Sequence, residues 1–317
     1  LAPMLYNVGI IIGTVWFTGG VNLFGWQIFD GGIMGVALGV VLGSFLQLIV
    51  SAVGLAGLGF DYNFKIYWRN KGFRKVLSLL PARSVDQGMD YVVSLVEVNL
   101  ASRLVDGTVR AYQQALTLHM MPINLIGVAI SNAAFPQLTE HLGEGRNDLF
   151  QKDLRSLLRI IFWMALPVSV VIFFTRGYVV HFIRNGGNQL IAGILGCLVV
   201  AILFRTIYHM AARAFYARQD TKTPLYISIF SITLNIVLAI VLSMVLKMGA
   251  YGLAWAQSTV AVLEVVVLLV VMNRQMPKLF DMTFVRAIFK MIIAGTITGV
   301  VCYIAVLIMP FRYHDDS

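Results

Sequence analysis

The sequence predicts an all-α fold, a polytopic transmembrane helix bundle of about nine spans. Three observations predict it. Of 317 residues, 59% are hydrophobic and only 12% are charged, where a soluble domain carries about a quarter charged residues. The apolar residues gather in runs near the ~20 residues that a membrane-crossing helix needs. The basic residues gather in alternate connections between those runs, as Lys and Arg do in cytoplasmic loops. The net charge of +9 does not point to nucleic acid, because the cations sit in short loops and form no stripe on a soluble module.

The runs fall at 1–20, 31–57, 76–104, 108–137, 156–180, 189–213, 224–246, 249–272 and 284–309. The third is the least apolar. Pro122 lies near the middle of the fourth, where a missing amide hydrogen kinks or loosens a helix, with Gly127 about one turn later. That pair suits a moving gate and equally a static kink. The seventh opens at Pro224, a residue suited to a first helical turn, with Thr221 or Thr223 placed to cap it.

Charge placement orients the chain. The connections after the second, fourth, sixth and eighth runs, with the helix starts beside them, hold sixteen Lys and Arg, among them Lys65, Arg69, Arg146, Arg155, Arg218 and Lys278. The alternate side holds six: Arg103, Arg110, Arg176, Arg184, Lys247 and Arg312. This bias predicts that Leu1 begins at the cytoplasmic side and that Ser317 ends outside. The chain opens at Leu1, already inside an apolar run and without the n-region and cleavage site of a secretory signal, so it reads as a piece of a longer protein.

Ionisable groups inside membrane spans are costly and face a cavity or a partner. In the third span Arg83, Asp86, Asp90, Ser94 and Glu97 follow steps of three and four and so share a helical face. That face is either a salt-bridged seam between helices or the lining of a water-filled cavity. Glu97 has no basic residue within one turn. Glu264, in "AVLEVVVLLVV", has no local partner and needs one from another helix, either as a protonated carboxyl in a seam or as an ion ligand. Asn132, Gln257 and Thr259 read as hydrogen-bonding groups between helices. His209 lies close to the cytoplasmic end, within reach of water.

Catalytic patterns are missing: there is no GxSxG, HExxH or P-loop, and the five histidines have no metal-like partner at helical spacing, so no enzyme is expected. Cys197 and Cys302 lie inside apolar runs and read as small core thiols.

The order of residues adds a resemblance. "RAFYARQDTKTP" (Arg213 to Pro224) resembles the cytoplasmic connection between the tenth and eleventh helices of the MurJ/MviN lipid II flippases, members of the multidrug, oligosaccharidyl-lipid and polysaccharide exporter superfamily. "INLIGVAISNAAFPQLTEH" (Ile123 to His141) resembles the end of that family's eighth helix. "VEVNLASRLVDGTVRAYQQA" (Val96 to Ala115) resembles its seventh helix and the approach to the eighth, and "LAPMLYNVGIIIG" resembles its fifth. The resemblance implies two six-helix bundles in a V plus two further helices. Residues 1–57 would be the last two helices of the first bundle, 58–75 a cytoplasmic basic linker, 76–274 the second bundle, and 275–317 an extra, incomplete C-terminal helix.

It also implies a role: flipping a lipid-linked oligosaccharide, the peptidoglycan precursor lipid II, across the bacterial cytoplasmic membrane by alternating access. The partners implied are that lipid-linked glycan, membrane lipids and cell-envelope synthesis enzymes. Some family members bind sodium at an acid on the seventh helix with an Asn, a second acid and a Thr. Glu97 and Asn235 match the first two, Ser258 lies near the Thr, and Ala239 replaces the second acid. A cation site of Glu97, Asn235 and Ser258, coupled to sodium or protons, is the expectation. Many members carry on the eighth helix an arginine that grips the diphosphate, with an acid three residues later. Here those positions are Thr117 and Met120, so Arg83 or Arg205 is expected to supply positive charge to a cavity lined also by Asp86, Asp90 and Thr117. The alternatives are a superfamily exporter of another polyprenyl-linked glycan or a drug, and a non-transporting cell-envelope scaffold.

Overall fold

A computed structural model describes residues 2–23, 26–29, 31–55, 70–183, 188–277 and 279–308. The chain divides into two compact units, Leu1–Trp68 and Arg69–Ser317.

In the first unit α1 runs Ala2–Ile12 and continues as a π-helical turn, Gly13–Phe17; α2 runs Ile33–Leu55. Between them β1 (Val21–Leu23) and β2 (Trp26–Phe29) form an antiparallel hairpin pairing Leu23 with Trp26 and Asn22 with Gln27. Among the described residues this short hairpin is the only strand structure in an otherwise helical chain. Its residues, Val, Leu, Trp, Ile and Phe, are mostly of the kinds that suit a pleated strand. The two helices meet through glycines. A Cβ on Gly9 would stand 2.2 Å from the Gly43 Cα, one on Gly13 2.5 Å from the Gly39 Cα, and one on Gly35 2.4 Å from the Phe17 carbonyl group. Numbers rise on one helix as they fall on the other, so the pair is antiparallel. Small residues at four-residue spacing allow this close backbone approach, on which membrane helices rely for van der Waals contact.

The second unit holds α3 (Lys71–Ser102), α4 (Thr108–Gly143, with a π-helical segment at Ile123–Val128), α5 (Asn147–Ile183), α6 (Gln189–Ala217), α7 (Lys222–Val245, ending in a π-helical turn from Val241), α8 (Ala250–Gln275) and α9 (Met282–Ile308). All of the predicted spans correspond to helices. Among the described residues seven helices, α2 and α4–α9, are long and apolar enough to cross a membrane, and Tyr91–Ser102 of α3 and Met4–Phe17 are shorter apolar stretches. Residues 58–69 of the expected linker lie outside the described residues. Lys71, Arg74 and Lys75 belong to α3 instead, since Lys and Arg are good helix formers and a lone Gly72 among them costs the helix only about 1 kcal/mol.

α6 is the axis of this unit, packing against α4, α5 and α8; α7 packs on α8 and α3, and α9 lies on α5. The core is apolar at both ends. One cluster joins Phe150, Leu154, Met210, Phe215, Leu268 and Met272. The other joins Tyr112, Ile194, Leu195, Leu198, Leu253 and Ala254. A smaller cluster of Ile123, Val199 and Ile202 lies between them in sequence on α4 and α6. The buried polar residues His119, Ser131, Thr206, Ser258 and Glu264 fall in the same interval on α4, α6 and α8.

The connection from Arg213 to Pro224 is a tight helix-to-helix turn. Gln219 takes a left-handed φ of 60°, and the amides of Gln219 and Asp220 return to the carbonyls of Tyr216 and Phe215. The cap of α7 is Asp220, not Thr221 or Thr223. Its carboxylate accepts from the Thr223 amide at 3.0 Å and from the Thr223 hydroxyl at 2.6 Å, satisfying an amide that has no partner within the helix.

Candidate functional site

Glu97 is 2% exposed on α3. Its carboxylate accepts from the Tyr112 hydroxyl on α4 at 3.0 Å and from the Gln257 amide on α8 at 3.0 and 3.1 Å. Three helices therefore meet at one carboxyl, and each contact is charge-assisted when that carboxyl is ionised. Two of the expected companions do not join it. Ser258 donates to the Cys197 carbonyl of α6 at 2.6 Å. Asn235 is buried on α7, and its Oδ1 has no hydrogen-bond partner. No group of three or more His, Cys, Asp or Glu is placed to hold a metal among the described residues. Any cation at this level would rest on Glu97 with neutral oxygens.

The second charged centre is a pair. Arg205 of α6 donates from Nη1 to Glu264 of α8 at 2.9 Å, with Arg205 26% and Glu264 3% exposed. Glu264 thus obtains the partner from another helix that its isolation demanded. The guanidinium also lies 5.7 Å from the centre of the Tyr208 ring, whose hydroxyl is 3.2 Å from Ser228 of α7. His119 is fully buried on α4, and neither ring nitrogen has a well-formed hydrogen bond. Gln257 makes the hydrogen bond between helices that was expected of it, while Tyr112 and His119 each lie in a run that reads as ordinary helix interior. A search at helical spacing within one helix cannot find partners on other helices.

The face of α4 opposite His119 is open. Gln113, Thr117, Met120 and Asn124 are exposed at steps of three and four, one stripe of a helix. Thr117 turns its hydroxyl back to the Gln113 carbonyl at 2.9 Å. Past this stripe Pro122 leads directly into the π-helical segment that contains Gly127. A Cβ on Gly127 would come within 2.9 Å of the Thr206 carbonyl on α6, so the glycine of the expected hinge pair sits at a close α4–α6 approach. Arg83, Asp86 and Asp90 lie on α3; their side chains lie outside the described residues.

Comparison with known proteins places this geometry. A probable lipid II flippase MurJ of Borreliella burgdorferi is 24% identical over 259 residues, covering 80% of this chain and 49% of that protein. One of Thermotoga maritima is 25% identical over 307 residues, covering 95% and 57%. The chain thus spans about half the length of these curated relatives. Among solved structures, a lipid II flippase MurJ in an inward closed conformation matches with a TM-score of 0.64 at 22% identity, over 96% of this chain and 67% of that one. An outward-facing multidrug resistance MATE family transporter of the MOP superfamily matches with a TM-score of 0.69 at 15% identity, over 87% of this chain and 62% of that one. These likenesses establish the fold. The model of the family described as lipid II flippase MurJ matches residues 1–315, and a match of that extent makes the chain a member of the MurJ family of multi-pass membrane proteins.

Proposed function

We propose that this chain is the cavity-lining part of a transporter, not an enzyme, that flips a lipid-linked oligosaccharide, lipid II, across the bacterial cytoplasmic membrane. The observation that carries the reading is the exposed stripe of α4. Gln113, Thr117 and Asn124 lie about 7, 13 and 24 Å from the helix start at 1.5 Å per residue, depths at which polar side chains do not face lipid. A wall of amides and hydroxyls there lowers the cost of moving a diphosphate sugar headgroup past hydrocarbon, while the lipid tails stay in the bilayer. Residues 1–57 read as the end of one bundle, 76–274 as a second bundle and 275–317 as an extra helix. Rocking of two bundles about such a site exposes it to each side in turn, with Pro122 and Gly127 as the yielding point of α4.

Glu97 is the proposed coupling residue, binding a proton or sodium with Asn235 and Ser258 as neighbours in the same bundle. Arg205 is the proposed source of positive charge, with Arg83, Asp86 and Asp90 toward the cytoplasmic end. Thr117 favours a second reading of the cargo. A neutral hydroxyl stands where many members carry an arginine, and that fits another polyprenyl-linked glycan. Expressing the gene in bacteria depleted of their own flippase, and measuring precursor exposed on the outer face, tests both. Restored exposure supports lipid II. A folded, inserted protein that restores none shifts the assignment to another cargo or to a scaffold for envelope-synthesis enzymes.

A further inference from the structure

Arg176 lies on α5 seven residues before Ile183, the last residue of the helix, about 10 Å below its end. Its guanidinium stacks 4.8 Å from the Phe173 ring centre and donates to the Phe173 carbonyl. An arginine has five N–H donors, and among the described residues no carboxylate pairs with this one. A cation at membrane depth needs an anionic or polar partner.

The side chain borders a groove of about 220 Å³ between α5, α6 and α8, with Gly193, Gly196, Val200 and Trp255 among its walls. The floor is bare helix. A Cβ on Gly196 would come within 3.0 Å of the Arg176 Cδ, and one on Gly193 within 2.6 Å of the Tyr251 ring; glycine is what lets the arginine lie against α6. The rim points outward and is apolar: Phe173 is 41%, Val200 37% and Trp255 42% exposed. Gly196 and Trp255 stand seven and five residues into their helices. Arginine, glycine and tryptophan therefore share one level, near the depth where headgroups meet hydrocarbon and tryptophan is enriched.

We propose that this groove binds one anionic phospholipid of the surrounding bilayer. Its phosphate takes the unused donors of Arg176, and an acyl chain lies on α6 along Gly196 and Val200 beside Trp255. A bilayer lipid is the occupant rather than the lipid-linked cargo. The groove is smaller than the ~300–1,000 Å³ of ordinary small-molecule sites, and no Asn, Gln, Ser, Thr or acidic side chain lines it to hold a sugar.

The test uses the chain in phosphatidylcholine bilayers, with Trp16, Trp26, Trp68 and Trp163 changed to Phe so that Trp255 alone fluoresces. Brominated phosphatidylglycerol is expected to reach half-maximal quenching at a several-fold lower mole fraction than brominated phosphatidylcholine. Arg176→Gln removes the difference, Arg176→Lys keeps most of it and so controls for folding, and Gly196→Leu weakens quenching by both lipids. Equal quenching by the two lipids, or an undiminished preference in Arg176→Gln, overturns the proposal and leaves an arginine that only reaches toward water. Displacement of the brominated lipid by a polyprenyl diphosphate at lower mole fraction than by plain phosphatidylglycerol overturns the choice of occupant.

Discussion

Glu97 is satisfied by a hydroxyl and an amide, and no cation of its own touches it. Replacement by Gln keeps the shape but turns an amide hydrogen toward groups that also donate. Transport by Glu97→Gln is expected to fall about tenfold, an energy of about 1.4 kcal/mol, with membrane insertion intact; precursor exposure in the depleted host reads the first and protease mapping the second. The Arg205–Glu264 pair behaves differently, since both members carry charge. Glu264→Leu leaves the guanidinium without its carboxylate and should cost about 3–5 kcal/mol, while Arg205→Met with Glu264→Leu should recover most of that loss. Denaturant unfolding of the parent and the two variants in detergent measures both. At this scale the sequence was half legible. That Glu264 required a partner followed from its apolar surroundings, but which partner did not, because Arg205 precedes it by 59 residues and belongs to another helix. Asn235 and Ser258 matched family positions, yet their hydrogen-bonding depends on how α6, α7 and α8 rotate against one another, which no local pattern records.

At the scale of elements, two short connections are pinned by aspartates. Asp281 accepts from the Phe284 amide at 2.8 Å and from Arg155 Nη1 at 2.6 Å, with Arg159 at 3.7 Å; the Arg155 Nε also donates to the Leu279 carbonyl at 2.9 Å. The Phe284 amide first, then the Thr283 hydroxyl and the arginines, hold its carboxyl below its ordinary value of 3.8. At Asp220 partial burial pushes the carboxyl up, but the Thr223 hydroxyl and amide outweigh it and the net shift is downward. A depressed folded pKa means the stabilisation is present above the unfolded value and is lost as pH falls through the folded one. The thermal midpoint should therefore drop below about pH 4, and Asp281→Asn should flatten part of that slope in melts taken from pH ~5 to ~2. The glycine contact of α1 and α2 makes a second demand. Gly39→Leu drives a side chain into the Gly13 backbone and should separate the two helices, seen as a lower midpoint when the protein is unfolded in detergent. The Gly9-to-Gly13 and Gly35-to-Gly39-to-Gly43 spacing was visible in the sequence; its meaning needs the antiparallel register, which the hairpin between the helices sets.

At the scale of the whole molecule, the run lengths located every helix, since hydrocarbon thickness imposes one length on all of them. Helix ends were less legible. α4 and α5 run on to Gly143 and from Asn147, past the apolar runs, because the chain outside hydrocarbon continues the helix with charged residues such as Glu140, Lys152 and Arg155. The cation bias makes a topological prediction. A cysteine at Gly145 should react with an impermeant maleimide only from the cytoplasmic side, and one at Lys247 only from outside. Labelling of Gly145 from outside intact cells would reverse the orientation. α9 adds a different consequence. Gly295 is its one buried residue among those described, seated against Leu166 of α5, with Gly299 over Phe174 and Val170 one turn on. Almost any apolar residue serves the rest of its surface. In a saturation library α9 should accept substitution nearly everywhere, with intolerance confined to a narrow stripe at four-residue intervals, so natural drift has the freest hand in the one helix that carries the least of the fold's information.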